Sequence, residues 1–70
     1  MPSLGTLKTI LAAGSNVSID AREYGINAII GLLDTPGELG VLTVTYAGYI
    51  NREDLCWLAG AGGTKIRFEF

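Results

Sequence analysis

The sequence predicts an α/β fold of three tandem helix–strand repeats. They form a solenoid-like unit with a three-stranded parallel sheet, in the order 1-2-3, and helices on one face. Three observations predict it. Three short segments alternate strictly between apolar and polar residues, the mark of half-buried strands. They are Val17-Ser18-Ile19-Asp20-Ala21, Leu42-Thr43-Val44-Thr45-Tyr46 and Ile66-Arg67-Phe68-Glu69-Phe70. Their first apolar residues, Val17, Leu42 and Ile66, stand 25 and 24 positions apart, so the pattern is a repeat. A segment with helically spaced apolar residues precedes each strand.

The first helix is carried by Leu7, Ile10 and Leu11. Ser3 has the side chain of an N-cap, and Ala13-Gly14-Ser15 closes the helix. The second is carried by Ile26, Ile29, Ile30 and Leu33, with a start between Glu23 and Asn27. Thr35-Pro36-Gly37 ends it, because proline cannot continue a helix. Leu55 and Leu58 carry the third. Asn51 is its cap, and Glu53 and Asp54 suit the positive end of its dipole. Gly60-Ala61-Gly62-Gly63 stops it, glycine being at home in the left-handed closing residue. Tyr24 and Tyr49 occupy matching places after the first two strands. They are expected to close the loops over the core.

Connections of this length join parallel strands by right-handed crossovers. A sheet covered on both faces shows continuous apolar runs, and these strands alternate instead. Ser18, Asp20, Thr43, Thr45, Lys65, Arg67 and Glu69 share one face; Val17, Ile19, Ala21, Leu42, Val44, Tyr46, Ile66, Phe68 and Phe70 share the other. Helices therefore cover one face and water the second.

Seventy residues make one domain, spanning 1–70. A chain this short buries only about 60% of its unfolded surface, and small scaffolds add disulfides, a metal or a partner. Cys56 is the only cysteine and histidine is absent, which excludes an internal disulfide and a structural zinc site. Apolar residues make up 49% and charged residues 17%. That balance points to a homo-oligomer. Five scattered basic residues and a net charge of −2 argue against nucleic acid, which needs a dense basic footprint. No apolar run approaches the ~20 residues of a membrane span. The segment from Met1 to Asn16 lacks the basic region and long apolar core of a signal peptide. A lone thiol fits a reducing cytoplasm.

Chemistry finds little footing. Without histidine the usual general base is missing. Cys56 stands near a helix start, which lowers a thiol pKa, but Glu53 and Asp54 beside it oppose the shift. The glycine run 60–63 follows a helix and opens a strand, the reverse of a phosphate loop. Asp20 and Glu69 fall on the outer strands with Thr45 between them, roughly 10 Å apart at the ~4.8 Å strand spacing. On an open face they read as solvated carboxylates. No catalytic, metal or cofactor residue is expected, and the chain is read as a non-enzyme. Leu55 and Leu58 point inward and turn Trp57 partly outward, as a partner surface requires.

The stretch from Leu55 to Phe70 has a helix, then Ala59-Gly60-Ala61-Gly62, then an alternating strand ending in Glu69-Phe70. It resembles the closing repeat of short bacterial βα-repeat proteins. Ile10-Leu11-Ala12-Ala13-Gly14 and Val17-Ser18-Ile19-Asp20-Ala21 fit the same repeat. Period and one-sided sheet are similar to leucine-rich repeats, without their asparagine ladder. The strand–helix alternation also resembles STAS domains, which bind regulatory partners. Where that family carries a phosphorylated serine, this chain reads Tyr24-Gly25-Ile26-Asn27. The resemblance carries over no catalytic residue.

These readings converge on self-assembly or structural interaction. A parallel sheet of three strands leaves two unpaired edges, and solenoids protect their ends with polar caps, of which none is visible. The expected joint sets the first strand of one copy, Val17 and Ile19, beside the third strand of another, Ile66, Phe68 and Phe70. Leu7 and Ile10 would pack against Leu55 and Leu58. Such a contact propagates into a ring or a filament. A two-fold dimer around Trp57 is the competing geometry. A small binding or inhibitory protein, immunity-like or STAS-like, acting on a foreign protein is the alternative function.

Overall fold

The computed structural model describes residues 3–35 and 37–70; Pro36, read above as a helix stop, lies outside them. Helix α1 spans Leu4–Ala12 and strand β1 Val17–Asp20. They are followed by α2 (Ile26–Leu33), β2 (Leu42–Thr45), α3 (Arg52–Gly62) and β3 (Ile66–Glu69). Short 3₁₀ turns, Ala47–Tyr49 and Gly63–Lys65, lead into α3 and β3.

Local chemistry explains the boundaries. The Ser3 hydroxyl accepts the Thr6 N–H at 3.2 Å, and Asn51 Oδ1 accepts the Asp54 N–H at 2.9 Å. Each satisfies a donor that the first helical turn leaves open. Gly25 precedes α2 and has no side chain to cap with, which is why that start left no mark in the sequence. Gly63 takes φ 56° at the end of α3, a left-handed value that costs glycine little.

The sheet is parallel in the order β1-β2-β3. Its rows run Val17–Leu42–Ile66, Ser18–Thr43–Arg67, Ile19–Val44–Phe68 and Asp20–Thr45–Glu69. Leu7, Leu11, Ile29, Leu32 and Leu58 from the helices meet Val17, Ile19, Leu42, Val44 and Ile66 from the strands in one buried cluster. Each such side chain contributes about 1.5–3 kcal/mol on burial. On the opposite face Ser18 and Arg67 are exposed, and Thr43 and Thr45 half-buried.

Several expected core residues are placed otherwise. Ile10 is exposed, and Leu32, absent from the expected helical set, is fully buried. Tyr46 leaves the alternation because β2 ends at Thr45. It adopts φ 55° and is exposed, while Ala47 fills the core in its stead. Phe70 lies past the last paired residue and is 82% exposed. Tyr24 closes over the core as expected, but Tyr49 is 72% exposed.

The first two repeats are locked at their strand entrances. Asn16 Oδ1 accepts the Val41 N–H at 2.9 Å, and the Leu11 carbonyl accepts the Gly40 N–H at 3.1 Å. The chains approach so closely that a side chain on Gly40 would run into the Ser15 carbonyl.

Candidate functional site

Backbone groups of a parallel strand point alternately to its two neighbours. The Val17 N–H bonds to the Val41 carbonyl and the Ala21 N–H to the Thr45 carbonyl, both at 3.0 Å. Val17, Ile19 and Ala21 therefore face β2, and Ser18 and Asp20 face outward. The Asp20 carbonyl is taken by the Glu23 and Tyr24 N–H groups. That leaves the Ser18 N–H and C=O and the Asp20 N–H on the outer edge of β1. With Leu42 opposite Ile66, the same alternation turns the N–H and C=O of Ile66 and Phe68 to the outer edge of β3.

Charges gather where the strands end. Arg22 donates from Nε to both oxygens of Asp20 at 3.1 Å and from Nη2 to Oδ2 at 2.7 Å. The Arg22 backbone N–H adds a fourth bond to Oδ1 at 2.8 Å. The guanidinium lies over the Tyr46 ring, its Cζ 3.6 Å from the centroid, a favourable cation–π arrangement. Tyr49 meets Tyr46 edge-on at 6.4 Å. Hydrogen bonding from the Arg22 side chain holds the Asp20 carboxyl below the usual carboxylate range. The same bond raises the Arg22 pKa.

A cleft of about 280 Å³ opens beside this cluster, lined by Tyr24, Ile26, Tyr49, Ile50, Asn51 and Asp54 among others. It lies past the carboxyl ends of β1 and β2. Asp54 faces this cleft from α3. Residues three apart share a helix face, so Trp57, 55% exposed, lies on the flank toward α2. Leu55 lies on the opposite flank. On α1, Lys8 reaches toward Gly31 of α2, and Ile10 stands about 160° around the helix from it on the outer side.

The predicted interaction residues thus divide. Val17, Ile19, Ile66 and Leu7 are buried in the chain's own core, so their side chains are not available at the surface. Phe68 is half-buried; Ile10, Trp57 and Phe70 are exposed. Leu7 and Leu58 are both buried in that core, whereas Ile10 and Leu55 stand on the outer flanks of α1 and α3. Arg22 and Tyr46 were not among the sequence-predicted site residues; both lie just past their strands, and the turns there bring them together. Cys56 is exposed.

No family model matches the chain, and no curated protein or solved structure matches it. Among the described residues no helix is long and apolar enough to cross a membrane. None gathers three or more His, Cys, Asp or Glu side chains where a metal ion could be held.

Proposed function

We propose that this chain is a non-catalytic interaction protein that associates with copies of itself, head to tail, into a ring or filament. The observation that carries the reading is the match between the two sheet edges. Both internal pairings use one register, and repeating it once more sets Ile66 beside Val17 of the next copy. The Ile66 carbonyl then faces the Ser18 N–H, the Phe68 N–H faces the Ser18 carbonyl, and the Phe68 carbonyl faces the Asp20 N–H. Every outward group on the edge of β1 gains a partner. In the same step the outer flank of α3, with Leu55, comes against the outer flank of α1, with Ile10. The repeat is then solenoid-like across copies.

A second reading rests on the cleft. Tyr49 and Asp54 on its wall, and exposed Trp57 on the same side of α3, suit a foreign partner protein. Sedimentation velocity across a concentration series separates the two. Concentration-dependent growth supports assembly; a monomer at all concentrations supports the foreign partner. Phe68→Pro removes a donor that points away from β2, so the variant is expected to stay folded by circular dichroism and lose assembly. A folded variant that still assembles contradicts the edge joint.

A further inference from the structure

We propose that Arg22 is the residue that permits this joint, by presenting Asp20 to the neighbouring copy as a neutral ion pair. The inference rests on the assembly reading and names the side chains that decide whether two edges tolerate each other.

The joint has an electrostatic obstacle. Continued register places Glu69 of one copy directly opposite Asp20 of the next, and like charges in directly opposed positions are destabilising. Arg22 removes half of that conflict before the copies meet. Its guanidinium engages both Asp20 oxygens at 2.7–3.1 Å, and its seat over Tyr46 keeps it there. Arg67 contributes from the other side. It lies opposite Ser18 of the next copy and diagonal to Asp20, within reach of a long side chain. The joint then holds two cations, Arg67 and Arg22, and two anions, Glu69 and Asp20. The polar row closes without net charge. The carboxylate at each edge then has a cation beside it, Arg22 for Asp20 and Arg67 for Glu69, and that complementarity selects a second copy of this chain as the occupant.

A double-mutant cycle across the joint tests the idea. Arg22→Gln, Glu69→Gln and the double variant are compared with the wild type by sedimentation velocity at low salt, where surface charges are least screened. Arg22→Gln is expected to weaken association roughly three- to tenfold per joint. Glu69→Gln in the same chain is expected to restore it to the wild-type level, because no carboxylate then faces the bare Asp20. Circular dichroism checks that each variant is folded. If Arg22→Gln has no effect, or its loss is not relieved by Glu69→Gln, Arg22 serves its own chain only and the inference fails while the assembly reading stands. A wild type that remains monomeric overturns both.

Discussion

Arg22 grips Asp20 through three guanidinium–carboxylate hydrogen bonds while its cation rests on the ring of Tyr46. The contact ties the end of β1 to the end of β2 on the polar side of the sheet. It also gives Asp20 an acid–base behaviour that can be measured. The folded-state pKa is lowered, so the unfolded chain binds the proton more tightly. The pair therefore supports the folded state above the ordinary aspartate value of about 3.9. That support is lost as pH falls through the lowered folded value. A carboxyl carbon NMR titration should place the Asp20 midpoint below that of an unperturbed aspartate. Arg22→Gln should move it back up; equal midpoints in both proteins would contradict the grip.

The two faces of β2 should respond oppositely to substitution. Val44 is fully buried at the centre of the core. Val44→Asp places an unpaired charge there, at a cost above about 4 kcal/mol. That approaches the whole stability of a domain this size, so the variant should be unfolded by circular dichroism. Thr43, one residue away, lies half-buried on the polar face. Thr43→Val should shift the unfolding free energy by no more than about 0.5 kcal/mol. A folded Val44→Asp protein would mean that the core lies elsewhere.

The entrance to β2 makes a third expectation. Gly40→Ala sets a methyl group against the Ser15 carbonyl. Backbone cannot yield as a side-chain tip can, and overpacking of this kind costs about 1–3 kcal/mol. Asn16→Ala removes the side chain that receives the Val41 N–H and should cost about 1 kcal/mol. Urea unfolding midpoints measure both, and a Gly40→Ala midpoint at or above the wild type would refute the close approach.

Alternation and spacing made the strands, their order and their register legible, because period-two burial and a 25-residue step are properties of the chain itself. The caps at Ser3 and Asn51 were legible for the same reason. Features created where the pattern stops were not. Tyr46 and Phe70 continue the alternation in sequence, yet one enters a left-handed turn and the other outruns its partner strand. Nearly every position of α2 is apolar, so periodicity could not rank Leu32 against Ile30. Asn16 and Gly40 act on one another's backbone segments across 24 positions, and composition carries no trace of that. The candidate site was half visible: the edges followed from the strand order, whereas the Arg22–Asp20–Tyr46 cluster depends on the turns after β1 and β2, where the alternation stops.

Cross-linking of single-cysteine proteins tests the head-to-tail joint most directly. Cys56 is exposed and unpaired, so Cys56→Ser should leave stability within about 0.5 kcal/mol of the wild type. In that background Ser18→Cys and Arg67→Cys are prepared as separate proteins, mixed and oxidised. The continued register sets the two positions directly opposite on neighbouring strands, about 4.8 Å apart, inside the Cα range that a disulfide spans. A head-to-tail joint yields disulfide-linked heterodimers in the mixture and none when either protein is oxidised alone. Homodimers of either protein, or an assembled mixture that forms no heterodimer, would contradict it.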